Sequence, residues 1–132
     1  MVNNVPMQGD IIKINLDPKQ GHGTDTEPQS GEGSPLAQKG YRPYICLSHH
    51  LISDYANIAV FAPISNTSRQ YPLYVPPEET ISTGTVLLDQ PVTIDYNTRK
   101  WSYVETVGDN FLNELPEKVV VVFQNNNLAR AS

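Results

Sequence analysis

The sequence predicts a small, mainly β protein, a sandwich or small barrel, with helical character confined to its C-terminal end. Three observations carry that expectation. Short apolar runs recur along the chain, clusters of Gly, Pro, Asn, Asp and Ser mark turns between them, and helical spacing of apolar residues emerges only near residue 109. At 132 residues and 39% apolar composition, the chain is sized for a single domain, residues 1–132, with one modest core.

The first strand is expected over residues 11–16, "IIKINL", where Ile12, Ile14 and Leu16 share one face and Lys13 and Asn15 the other. From residue 17 to 40 the periodicity stops and Gly, Pro, Ser and acidic residues take over, which predicts a long loop. A connection of that length inside a compact domain is usually functional or disordered. Further strands are expected over residues 43–48, 57–64, 71–75, 85–89, 92–96 and 101–107. Asp109 is then placed to cap a helix carrying Phe111, Leu112 and Leu115, with Pro116 expected to break or restart it. Residues 117–124, "EKVVVVFQ", read either way: four valines favour a strand by propensity, while the continuing pattern favours helix, the preferred reading.

Composition excludes several classes. A formal net charge of −5 gives no overall field that draws in nucleic acid or an anionic membrane, so such a partner needs a local basic patch. Asp25, Glu27 and Glu32 of the long loop contribute three of those negative charges, which leaves the rest of the chain closer to neutral. The one cysteine, Cys46, lies in an apolar run and is expected to be a small buried group in a reducing, cytoplasmic setting. The opening "MVNNVPMQGD" lacks the features of a secretion signal, and no apolar run is long enough to span a bilayer. Adjacent His49 and His50 would face opposite ways on an extended strand, a poor arrangement for one metal ion. A Cys46–His49 nucleophile pair lacks the electropositive, exposed setting such a thiol requires. Gly-rich phosphate loops, HExxH and CxxC are all missing.

Four polar elements remain, at residues 21–22, 41–43, 63–65 and 87–90, each at or just after the end of a strand-like run. Each has a plain structural reading: Pro43 stiffens a strand entry, Pro63 and Ser65 form a turn, and Asp89 accepts hydrogen bonds at a strand end. The blocks "GDIIKINLDPKQGH", "GYRPYICLS", "VFAPIS", "YPLYV" and "TGTVLLDQPVTID", followed by a C-terminal amphipathic segment, resemble the PemK/MazF toxins of bacterial toxin–antitoxin modules. The resemblance runs in order from Gly9 to Phe123.

That resemblance implies a twisted SH3-like β-barrel of the CcdB/PemK kind with a C-terminal helix. It also implies a homodimer, a cognate antitoxin, and DNA binding only through the antitoxin complex. The implied activity is a metal-independent, cofactor-free endoribonuclease cutting single-stranded RNA to 2′,3′-cyclic phosphate and 5′-hydroxyl ends. Arg42 matches the family's Gly-x-Arg-Pro arginine, a planar fork suited to a phosphate and to charge developing on it. Asp89 matches the aspartate of the Asp-Gln block, as base or as a group orienting the arginine. His22 matches a Gly-His that follows Asp-Pro in part of the family, and imidazole suits proton transfer near neutral pH. Ser65 stands where many members carry threonine, keeping the hydroxyl without the β-branch. Leu87 stands where some members carry an arginine regarded as the acid, which leaves that role to Arg42 or another group. Lys13, Lys19, Lys39, Arg69 and Gln90, with Tyr41 and Tyr71 as stacking surfaces, are the candidate RNA-binding residues. Two rivals come from other classes: a toxin of the same fold that binds a topoisomerase, and an inactive nucleic-acid-binding regulator.

Overall fold

The computed structural model describes residues 5–16, 40–78, 80 and 83–126. Its strands are β1 (Asp10–Asn15), β2 (Tyr41–Cys46), β3 (Ala59–Ser65), β4 (Tyr74–Val75), β5 (Thr85–Leu87), β6 (Val92–Ile94) and β7 (Trp101–Thr106). Two α-helices, α1 (His50–Ala56) and α2 (Asp109–Val119), complete the framework. All pairings are antiparallel, in the order β4-β5-β3-β2-β1-β7, with β6 also paired to β3. Among the described residues no ladder joins β4 to β7, so in hydrogen bonds the expected barrel is an open sheet.

Alternation along β1 explains how this sheet is held. Ile12 and Ile14 join Cys46, Phe61, Ile94 and Tyr96 in one apolar cluster, with Leu16 packed against it, while Lys13 between them is exposed. Ile11 joins Ile45, Ala62, Ile64 and Val86 in a second cluster, which α2 covers with Phe111 and Leu115. The expected single core is therefore two clusters. A strand apolar on both sides of its pleat can serve both.

The Gly-Asp pair at residues 9–10 fixes where β1 begins. Gly9 has φ +93°, a conformation that favours glycine, and it receives neighbours on both edges. Its N–H donates to the Cys46 carbonyl at 2.8 Å, and its carbonyl accepts from the Val107 N–H at 3.0 Å. Asp10, only 5% exposed, accepts from the Met7 N–H at 2.9 Å and from the Thr106 hydroxyl at 2.7 Å.

Several expectations change. Residues 71–75 form only a two-residue strand, and the runs at 85–89 and 92–96 end early, as Leu88 and Asp89 turn and Asp95 caps a short 3-10 helix at Tyr96–Thr98. The Asp95 side chain accepts the Asn97 N–H at 3.1 Å there. Helix α1 was not anticipated from the pattern because its large apolar residues, Leu51, Ile52 and Tyr55, face outward, and only Ser53 is buried.

At α2 the cap is Gly108, not Asp109, which occupies the first turn, where its charge suits the helix dipole. Pro116 lies inside α2 and does not break it. Proline removes one backbone donor, but burial of Phe111 and Leu115 and partial burial of Val119 hold the helix through it. The residues after it are helical, as preferred: α2 runs to Val119 and a 3-10 turn covers Val120–Phe123.

Candidate active site

The register of β1, β2 and β3 brings the polar motifs together. Ile14 pairs with Arg42, Lys13 with Pro43, and Tyr44 with Pro63. Side chains two apart on a strand share a face, so Arg42 and Tyr44 on β2 lie on the face of Pro63 and Ser65 on β3. Extending that register by two residues sets Arg42 opposite Ser65. Both line a cleft of about 670 Å³, together with Lys13, Tyr41, Leu87 and Gln90.

Gly40 is the hinge at which the chain enters β2. Its φ is +97°, and a Cβ there would come within 2.6 Å of the Asn15 side chain. Asn15 itself pairs with Tyr41, and its carbonyl accepts from Arg99 Nη1 at 2.9 Å. The glycine of Gly-Tyr-Arg-Pro is thus required by a close approach directly before Arg42.

Arg42 is exposed, with its guanidinium near the half-buried Tyr44. Burial pushes the Tyr44 hydroxyl above its ordinary value, and the Arg42 charge pulls it partly back. Tyr44 is therefore a neutral hydroxyl beside a fixed cation at neutral pH. Asp89 does not line the cleft. It sits in the turn between Leu87 and Gln90, which do, and the Gln90 N–H closes that turn on the Leu87 carbonyl at 3.2 Å. Among the described residues, Asp89 Oδ1 is buried with no hydrogen-bond partner.

Of the residues singled out from the sequence, Lys13, Tyr41, Arg42, Ser65 and Gln90 meet in the cleft, with Asp89 in the adjoining turn. Arg69 and Tyr71 gather elsewhere, on the segment between β3 and β4, with the Arg69 guanidinium 4.8 Å from the Tyr71 ring centre. His22, Lys19 and Lys39 lie outside the described residues. Sequence reasoning missed Tyr44, Asn66 and Thr83, which also line the cleft. Strand alternation from Arg42 was the available signal for Tyr44; Asn66 and Thr83 carried none.

The histidines take a different place from the extended one expected. His49 caps α1, its Nδ1 accepting the Leu51 N–H at 3.0 Å, and His50 Nδ1 lies 3.0 Å from Asp54 Oδ2. Among the described residues no three His, Cys, Asp or Glu side chains are grouped to hold a metal ion. Cys46 is buried, and burial pushes its thiol up, only partly offset by hydrogen bonding to Ser48. Nor, among the described residues, is any helix long and apolar enough to cross a membrane.

Fold and cleft together define a small antiparallel β protein with an arginine-bearing cleft on its sheet and a C-terminal helix packed on one of its two apolar clusters. Residues 7–123 match the family described as PemK-like, MazF-like toxin of type II toxin-antitoxin system, and the chain belongs to that family. It is therefore a toxin-family member of a toxin–antitoxin module. Its fold is similar to that of MazF from Deinococcus radiodurans, at 22% identity and TM-score 0.67, over 92% of this chain and 98% of that one. A MazE-MazF complex from the same organism aligns at 19% identity and TM-score 0.67, over 92% and 97%. An endoribonuclease in complex with its cognate antitoxin, from a mycobacterial species, aligns at 16% identity and TM-score 0.66, over 90% and 95%. At these identities the likeness establishes the fold. No curated protein sequence matches the chain.

Proposed function

We propose that this toxin is a metal-independent, sequence-selective endoribonuclease acting on single-stranded RNA, a homodimer in the cytoplasm neutralised by a cognate antitoxin. The observation that carries the reading is the meeting of Arg42 and Ser65, from different strands, in one cleft beside Lys13 and Gln90. Family membership and two similar structures described as endoribonuclease or toxin–antitoxin complexes support it.

In the proposed reaction a ribose 2′-hydroxyl loses its proton to a base and attacks the adjacent phosphorus. The bond from phosphorus to the 5′-oxygen breaks, and that oxygen takes up a proton. The products are a 2′,3′-cyclic phosphate and a 5′-hydroxyl. Such a path needs a base, an acid and groups that stabilise the pentacoordinate phosphate. Arg42 supplies two parallel N–H donors and a permanent charge for the phosphate oxygens. Ser65 and the neutral Tyr44 hydroxyl add hydrogen bonds on the same face, and Lys13 adds charge. Asp89 takes the 2′-hydroxyl proton or orients Arg42. Leu87 has no proton to give, so the 5′-oxygen is served by Arg42 or by His22.

The test is incubation of the purified protein with a long single-stranded RNA in EDTA, followed by sequencing of the product ends. Discrete cuts with cyclic phosphate ends, lost in a folded Arg42→Ala variant, are expected. Intact RNA from a folded, antitoxin-free protein would overturn the reading, and wild-type cutting by Arg42→Ala would remove Arg42 from the mechanism. A topoisomerase pull-down from the inactive case would identify the non-nuclease toxin.

A further inference from the structure

Between β3 and β4 three side chains form a cluster that the cleft chemistry does not use. The Arg69 guanidinium lies 4.8 Å from the Tyr71 ring centre and 5.7 Å from that of Tyr74. The two rings meet edge to face, 4.8 Å between centres at 89°. Backbone bonds hold the arrangement: the Tyr74 N–H donates to the Tyr71 carbonyl at 2.9 Å, and the Arg69 N–H to the Thr67 hydroxyl at 3.1 Å.

We propose that Arg69, Tyr71 and Tyr74 form a preassembled stacking site for one nucleobase of the RNA strand, next to the nucleotide held in the cleft. The inference rests on the ribonuclease reading above and adds a base-binding subsite to it.

Two arguments carry the inference. The first is chemical. A planar cation near two rings set at right angles cannot lie flat on both, and Tyr71 and Tyr74 are only half-buried beside the exposed Arg69, so part of the aromatic surface is accessible next to a positive charge. Bases stack on aromatic rings and on guanidinium planes, and a fixed cation also attracts the strand's phosphates. Arg69 is exposed, and because Tyr and Arg also favour protein interfaces, antitoxin docking is the alternative that the experiment below separates.

The second argument is position. Tyr74 is the direct cross-strand partner of Leu87, a residue that lines the cleft, and the Leu88 N–H donates to the Leu73 carbonyl at 2.9 Å. Neighbouring strands lie about 5 Å apart, so the cluster stands one strand beyond the cleft wall, within reach of an adjacent nucleotide. Because the site is assembled before RNA arrives, little ordering remains for binding to supply. It acts on which base is accepted at that position and on how tightly the strand is held, not on the bond broken.

The experiment measures fluorescence anisotropy with a short RNA made uncleavable by 2′-O-methylation, in which each nucleotide in turn is replaced by an abasic one. Wild type is expected to lose about tenfold or more in affinity at one abasic position beside the cut site. Tyr74→Ala and Arg69→Ala are expected to bind the intact RNA about that much more weakly and to be indifferent to the same abasic position. Tyr74→Phe, which keeps the ring, retains wild-type behaviour. Arg69→Ala changes an exposed side chain and keeps the test decisive if Tyr74→Ala fails to fold. If the variants bind RNA and respond to every abasic position as wild type does, the stacking site is overturned while the ribonuclease reading stands. If wild type neither binds nor cuts RNA, the ribonuclease reading itself falls. If the variants lose only antitoxin binding, the cluster is a protein-docking surface and the stacking site is again overturned.

Discussion

Asp10 and Asp89 each belong to a motif that carries the family likeness, one opening β1 and the other in the turn after β5, yet their oxygens are treated differently. Asp10 Oδ2 accepts the Met7 N–H and Oδ1 accepts the Thr106 hydroxyl, which in turn lies 2.8 Å from the Tyr103 hydroxyl. Those bonds tie the turn before β1 to the end of β7. Asp89 sits in the turn beside the cleft, and its Oδ1 is buried and has no partner among the described residues. An unsatisfied buried oxygen costs about 1–3 kcal/mol. The difference separates an aspartate whose acceptors are consumed by the fold from one with an acceptor that no described residue uses.

The largest expected effect that sharpens this contrast is on catalysis. Asp89→Asn should lower the rate of RNA cleavage by about 10²–10⁴, the range for a lost general base, with little change in the thermal midpoint. Cleavage at the wild-type rate would take Asp89 out of the reaction and collapse the contrast. Next comes stability. Asp10→Ala should destabilise the protein by about 2–4 kcal/mol, since it removes two hydrogen bonds to a buried carboxylate. A denaturant midpoint that falls at unchanged slope is the expected outcome, with the proposed cleavage per folded molecule retained. A stable but inactive variant would make Asp10 a functional carboxylate too.

The smallest effect is on pH dependence. Burial raises the Cys46 thiol from its ordinary value of 9.0, with Asp10 adding a minor push in the same direction. The folded chain thus keeps that proton at pH values where the unfolded chain releases it, so stability declines as pH rises from about 9 toward the folded value. Thermal midpoints between pH 8 and pH 10 should fall for the wild type and fall less steeply for Cys46→Ala. Asp10→Asn should lie between them; a slope equal to that of the wild type would show that Asp10 does not act on the thiol, and equal slopes in all three would remove the thiol itself from the pH dependence.

Much of the fold was legible because β1, β2, β3 and β7 announce themselves by alternation or apolar runs bounded by turn residues. The limits lay where tertiary structure overrode local pattern. Leu51, Ile52 and Tyr55 of α1 point outward, so no buried stripe betrayed the helix, and Pro116 is carried through α2 by the burial of its neighbours. In the cleft, Arg42 and Ser65 were legible as motif residues, but their facing positions depend on the β2–β3 register, which local sequence does not specify. The cluster at Arg69 was half legible: the arginine and Tyr71 are close in sequence, while Tyr74 joins them only through the turn that closes on Tyr71.

The pairing of β1 with β7 also sets an order of events during synthesis. Asp10 faces Thr106 and Ile14 faces Trp101, so β1 leaves the ribosome long before its second neighbour exists. Until then its outer edge is open, as edge strands in slow-folding topologies are. Val104 of β7 also lines the cleft. A translation product cut short before Trp101 therefore carries neither a sealed first strand nor a whole cleft. For a protein of a toxin family, a fragment without β7 is one that lacks part of the cleft wall.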